Sequence, residues 1–195
     1  MTDANYLDGK MLIAMPGIGD PRFERTVIFL CVHSADGAMG LVVNKAAEQL
    51  SFPELLRRLD LLPQDERINL PRQVLSMKVQ IGGPVESGRG FVLHTSDYHA
   101  ADSTLPIDES IGLTATLDVL RAIAAGAGPR QALLALGYAG WGPGQLEREI
   151  QHNGWLHCAT DETLLFDTDL DAKYELALRK LGIDPSMLTS YSGHA

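Results

Sequence analysis

Gly137-Tyr138-Ala139-Gly140-Trp141-Gly142-Pro143-Gly144-Gln145-Leu146-Glu147 is the stretch on which the reading of this chain turns. Leu133, Leu134 and Leu136 end an apolar segment before it. After it, Leu146 and Ile150 sit four apart, as one face of a helix requires. Four glycines fall within eight positions here, and glycine is needed where φ is positive or where a backbone or ligand comes close. Pro143 suits the first turn of a helix, where its missing N–H costs nothing. The reading is strand, tight glycine-rich turn, helix. On this reading the glycines are structural, and replacing Gly142 with Val strains the turn by about 1–3 kcal/mol.

A helix start after such a turn aims N–H groups and a positive dipole end forward. The phosphate-binding patterns nevertheless fail. No Lys-Ser or Lys-Thr follows Gly144, and Gly140, Gly142 and Gly144 alternate, with Glu at 147. Close packing of helix on sheet, with Trp141 filling the gap, is the favoured account of the small residues.

Working outward, Lys10–Met15 reads as a first strand ended by Pro16-Gly17, and Asp20-Pro21 as a turn. Thr26–His33 is β-branched and apolar on both faces, as in a central strand. Alternation places His33 on the face of Cys31, Phe29 and Val27. Residues 34–40 form a spacer before a strand over Gly40–Asn44. Ser51-Phe52-Pro53-Glu54 is a capping box opening a helix through Leu59. A loop is expected over 63–73, a strand over Val74–Ile81 turned by Gly82-Gly83-Pro84, and its partner over Gly90–Thr95. Ser96–Asp108 reads as a flap or hairpin tip. Leu113, Leu117, Leu120 and Ala124 mark a helix stopped by Gly126. Trp155–Cys158 is a short strand, and Leu170, Tyr174, Leu178 and Leu181 line a last helix ended by Gly182, with a frayed tail from Ser186.

With 195 residues, 45% hydrophobic and 21% charged, the chain reads as one domain over 1–195 carrying a small annex around 96–128. The fold class is α/β (α+β): strands cluster early and helices alternate with strands later, giving a mixed sheet with helices packed on it. The N-terminus lacks signal-peptide character and no apolar run reaches transmembrane length. Two cysteines, Cys31 and Cys158, suit a reducing compartment. A cytoplasmic address, with no membrane partner, is expected.

The net charge is −9, of which the half from His99 onward carries 6 basic and 13 acidic residues. Nucleic-acid affinity leans on phosphate neutralisation, so tight binding to duplex DNA is not expected.

Four stretches together resemble the YqgE/AlgH family of bacterial proteins. They are the glycine motif, Asp20-Pro21-x-Phe23-x-Arg25-Thr26-Val27 running to His33, Gly37-Ala38-Met39-Gly40-Leu41-Val42-Val43-Asn44, and Gly82-Gly83-Pro84-Val85 with Gly90-Phe91-Val92-Leu93-His94. The resemblance spans residues 9–157 in the expected order. Ala46 stands where the family pattern usually has Pro, which loosens the turn after Asn44. The resemblance implies a compact α/β domain with a mixed, barrel-like sheet and carries a transcriptional-regulator label. It supplies no catalytic set.

Arg25, His33, Asn44, Arg89 and His94 sit at strand ends, where sites collect on sheet scaffolds. Facing Trp141, Gly142, Gly144 and Gln145, they make the candidate ligand site, with the arginines as bidentate partners for a carboxylate or phosphate. The competing account ties the arginines into salt bridges with Asp20 or Glu24. No metal or cofactor is expected: Cys31-x-His33 and His157-Cys158 lack zinc spacing. The run from Asp167 opens like a calcium loop, but Ala172 and Leu178 occupy its sixth and twelfth positions. No G-x-S-x-G elbow is present.

These residues support three readings. The first is a non-catalytic binding or regulatory protein, whose partner is a protein or a small anionic ligand. The second is an enzyme working on an anionic small molecule through the Arg/His residues. The third is a thiol-based redox responder, which needs an exposed, low-pKa cysteine.

Overall fold

The computed structural model describes residues 5–64, 69–166 and 169–188. Ten strands form its sheet: β1 (Lys10–Ala14), β2 (Val27–Ser34), β3 (Gly37–Val42), β4 (Ala46–Ser51), β5 (Lys78–Ile81), β6 (Val85–Thr95), β7 (Thr104–Pro106), β8 (Ile111–Thr114), β9 (Ala132–Trp141) and β10 (Trp155–Ala159). The main path runs β10-β1-β2-β3-β9-β6-β8-β7, and β5 joins β4 to β9. All pairings are antiparallel except β5 with β9. The sheet is therefore mixed, and it curls into a half-barrel. The annex region 96–128 contributes β7 and β8 to this same sheet.

Seven helices are found among the described residues: α1 (Phe52–Arg58), α2 (Arg72–Ser76), α3 (Leu117–Ala124), α4 (Gln145–Gln151), α5 (Glu162–Phe166), α6 (Leu170–Lys180) and α7 (Pro185–Leu188). Ser51 caps α1 by accepting the Glu54 amide, as the capping-box pattern requires. The apolar cores lie on the two faces of the sheet. One cluster joins Phe29, Leu41, Leu93 and Leu133 to Leu165 of α5 and Tyr174 of α6. A second packs Ile28, Leu30 and Trp141 against Leu146 of α4 and Trp155. The third seats α1, α2 and α3 on Val79, Val92 and Leu134. No described helix is long and apolar enough to cross a membrane.

The glycine stretch is mostly strand. β9 continues through Gly137 and Gly140 to Trp141, so the turn shrinks to 142–144, and Pro143 precedes α4 rather than opening it. Backbone crossing explains where glycine is obligatory. A Cβ at Gly137, which has φ +75°, would stand 2.4 Å from the Gly83 carbonyl oxygen. A Cβ at Gly142 meets nothing nearer than 3.9 Å, and its φ lies outside the left-handed region. The strain expected at Gly142 resides at Gly137.

Other boundaries move for physical reasons. The spacer over 34–40 is a tight hairpin in which Ser34 pairs directly with Gly37. Residues 72–76 form α2, burying Val74 under α1 and α3, so the strand expected from Val74 starts at Lys78. β6 pairs with β9 and β8 and not with β5. Leu113 belongs to β8, and α3 starts only at Leu117. β4 went unread in the sequence because its six residues, Ala-Ala-Glu-Gln-Leu-Ser, are exposed to half-buried and poor in β-branched types. Asp167 and Thr168, which open the calcium-like run, and residues 189–195 of the tail lie outside the described residues.

Candidate functional site

A bulge decides where His33 goes. Register between β2 and β3 shifts between Leu30 and Val32, leaving Cys31 as the extra residue, and one added residue reverses the facing of everything beyond it. His33 consequently lies on the α4 side, opposite Cys31. Its Nδ1 accepts the Leu7 amide at 3.0 Å and its Nε2 contacts Oε1 of Glu147 at 2.9 Å. An amide can only donate, so Nε2 carries the hydrogen and donates it to the carboxylate. The His33 amide donates in turn to Asp8, and Tyr6 meets the ring edge-on. Bonds from its own backbone amide and from His33 hold the Glu147 carboxyl below its ordinary range.

His94 is fully buried and fully engaged. Nδ1 lies 3.0 Å from the Thr95 carbonyl and Nε2 lies 2.8 Å from the Thr114 hydroxyl, which continues to Thr104 at 2.8 Å. Burial pushes the imidazole pKa down. The glycine turn is likewise closed by protein. Gln145 Oε1 accepts the Gly142 amide at 3.0 Å. Glu149 accepts from Trp141 Nε1 at 2.9 Å, Trp155 Nε1 at 2.7 Å and Gln145 Nε2 at 3.0 Å. Gly144 stands before α4 in the left-handed conformation. Neither Glu147 nor Glu149 stood out in the sequence; two tryptophans flanking an acid at helical distance from Gln145 was the available signal.

Arg89 is exposed on β6, paired with Glu86 at 3.3 Å and lying over Phe91. Arg25 and Asn44 come together elsewhere. Arg25 has φ +54°, rare for a side-chain-bearing residue. Asn44 secures that turn, accepting the Val27 amide at 2.9 Å and donating to the Arg25 carbonyl at 2.9 Å. The guanidinium lies 4.6 Å from the Tyr174 ring centroid. Tyr174 is fixed beneath it by donating to the Ala14 carbonyl at 2.6 Å. Among the described residues the carboxylate paired with Arg25 is Glu175 at 4.0 Å, an exposed and weak pair; Asp20 is paired instead with Arg22 at 2.7 Å.

Two clefts share Glu24, Arg25 and Tyr174. One, of about 540 Å³, runs past Asn44, Lys45 and Lys78. The other, of about 460 Å³, is walled by Pro16, Ile18, Pro21 and Leu188. Neither is lined by the glycine turn, by Arg89 or by a histidine. The structure thus brings together Arg25 with Asn44, and His33 with the start of α4, while Arg89 and His94 each stand apart. Both cysteines are buried, and burial raises both thiol pKa values. Among the described residues, no three His, Cys, Asp or Glu side chains are grouped to hold a metal ion.

Comparison with known proteins agrees with this architecture. The profile of the AlgH-like family matches residues 11–186. A UPF0301 protein of Methylobacterium sp. (strain 4-46) is 62% identical over 192 residues, covering 98% of this chain and 91% of that protein. A UPF0301 protein of Bradyrhizobium diazoefficiens is 60% identical over 194 residues, covering 100% and 91%. The solution structure of the AlgH protein from Pseudomonas aeruginosa superposes with TM-score 0.75 at 41% identity, covering 100% of this chain and 99% of that one. A Corynebacterium diphtheriae protein shares the fold, with TM-score 0.67 at 19% identity over 96% and 92% of the two chains. The chain belongs to the AlgH-like family.

Proposed function

We propose that this member of the AlgH-like family is a non-catalytic, cytoplasmic binding protein with a regulatory role, which takes an anionic small molecule against Arg25. One observation carries the reading. Arg25 is held in a left-handed backbone conformation by Asn44 and laid on Tyr174, between two clefts. A non-glycine residue kept at positive φ costs of order 1–2 kcal/mol, and such strain concentrates where function over-determines the geometry. Stacking on Tyr174 orients the planar fork without consuming its donors, leaving them for the bidentate recognition that carboxylates and phosphates favour. The enzyme reading is weakened because His33 and His94 spend both ring nitrogens on protein partners and line neither cleft. The thiol reading is weakened by two buried cysteines held in the protonated form.

The test is a thermal-shift panel of nucleotides, sugar phosphates and acyl-CoA compounds against the wild-type protein and Arg25→Gly. Glycine relieves the φ strain while removing the guanidinium, so the variant should fold with stability within about 1 kcal/mol of wild type. At least one anionic compound should raise the wild-type melting temperature and fail to raise that of Arg25→Gly. Equal responses from the two proteins, or none from the wild type, would sink the proposal.

A further inference from the structure

A chain of buried hydrogen bonds joins His94 of β6 to the connection that follows the strand. Both His94 and Thr114 are fully buried. Nδ1 of His94 meets the Thr95 carbonyl, an acceptor, so it carries the hydrogen and donates. Nε2 of the neutral ring then accepts, and the Thr114 hydroxyl gives it its one hydrogen at 2.8 Å. Thr104 consequently donates to Thr114 at 2.8 Å, while accepting the Ala100 amide at 3.0 Å. The relay runs one way, from Ala100 through Thr104 and Thr114 to His94, with one hydrogen in each contact. A second proton on the ring makes Nε2 a donor. The same contacts then hold one hydrogen too many, and the buried ring carries a charge, which is costly without water.

The cover over the ring is thin. Tyr98 meets the imidazole edge-on at 5.4 Å, and Cγ2 of Thr104 and Cε1 of His94 both lie 3.0 Å from where a Gly112 Cβ would stand. Each end of the cover is tied down. Asp97 accepts from the Thr95 hydroxyl and from the Arg130 amide at 2.8 Å, and Asp108 accepts the Ile111 amide at 2.8 Å. Between these anchors lies β7, three residues at the end of the sheet, one of them a proline with no N–H to give. Burial lowers the imidazole pKa; the Thr95 carbonyl and Asp97 work against it, and His99 with it. Asp118 of α3 stands near Tyr98 and is paired with Arg121. We propose that residues 98–106 form a lid over His94 that acid releases. Protonation of the ring lifts the lid, which admits water to the imidazolium and gives the surplus hydrogen an acceptor. β8 then loses the pairings Thr104 with Thr114, Leu105 with Leu113 and Pro106 with Gly112, and its edge is bared. The lid contributes no residue to either Arg25 cleft.

The test is an NMR titration of the full chain from about pH 7.5 to pH 5. It follows the His94 ring signals and the hydrogen exchange of two amides, Ala100 in the lid and Val43, which donates to the Val27 carbonyl in the sheet. The ring and the Ala100 amide should titrate with one midpoint, below the ordinary imidazole value. Protection of Ala100, corrected for the intrinsic pH dependence of exchange, should fall about tenfold or more across that midpoint. At the acid end it should stay at least about tenfold below that of Val43, because the opening is local. Asp97→Asn keeps the anchor but removes the charge that favours the imidazolium, so both midpoints should move together to lower pH. His94→Gln should abolish the response of Ala100. The proposal fails if Ala100 keeps its protection while the ring titrates, or if the ring stays neutral to the end of the titration. It fails equally if Ala100 and Val43 lose protection in parallel, if Asp97→Asn moves the ring midpoint alone, or if His94→Gln responds as wild type does.

Discussion

Glu149 accepts hydrogen bonds from two largely buried indoles, Trp141 and Trp155, and from the Gln145 side-chain N–H. Removing it strands both N–H groups away from water, at about 1–3 kcal/mol for each unmade bond. Glu149→Ala should therefore lower unfolding stability in urea by about 3–5 kcal/mol, while Glu147→Ala, on the half-exposed side of the helix, should cost less. His94 supplies a pH signature. Its folded-state pKa is depressed by burial, so the unfolded chain takes up the proton first as pH falls. The stability it contributes is complete above the ordinary imidazole range near 6.5 and is lost as pH falls from there toward the folded-state value. Melting temperature should drop between about pH 7 and pH 5, and His94→Gln should flatten that part of the profile. The residue types at the candidate site were legible in the sequence, but their neighbours were not. His33 changed faces because a bulge at Cys31 broke the alternation, and no local signal in Thr26–His33 announces an extra residue.

At the scale of elements, β9 is where the sheet forks. Its first half lies between β6 and parallel β5, and its second half pairs with β3. Gly82 closes the fork, donating to the Leu136 carbonyl at 2.7 Å and accepting from the Val42 amide at 2.8 Å. Gly83 and Gly137 let the two backbones cross at close contact. Gly137→Ala should cost about 2–5 kcal/mol, combining a left-handed backbone with a clash against fixed carbonyl oxygen. Gly142→Ala should stay within about 1 kcal/mol of wild type, and a chemical denaturation series measures both. The glycine-rich motif was correctly read as the organiser of the fold, because so many glycines in a row of apolar residues need a structural reason. Its meaning shifted from turn to strand crossing because the partner, Gly82-Gly83, lies more than fifty residues away in the chain. β4 was illegible for a related reason: Ala46–Ser51 owes its extended form to pairing with β5 and not to its own side chains.

For the whole molecule, the mixed, curled sheet followed from the order of strand and helix patterns together with the family resemblance, and the acidic balance restricts the partners. With net charge −9, the protein should bind random duplex DNA no tighter than micromolar at physiological salt. A filter-binding isotherm in the submicromolar range that weakens with salt would contradict this. On the proposed binding reading, His33, Glu147 and Glu149 serve the fold: His33 ties the N-terminal segment to α4, and Glu149 ties α4 to the two tryptophans. Arg25 alone among the candidate arginines is posed by its backbone, clamped by a side chain and open to a cleft on each side. The most direct measurement is a backbone amide chemical-shift map, taken with whichever anionic compound stabilises the protein most, followed by analysis of that compound after prolonged incubation. The account predicts the largest shifts at residues 14–25, 44–46 and 174, with the compound recovered intact. Shifts centred instead on His33 and residues 142–147, or conversion of the compound to product, would contradict it.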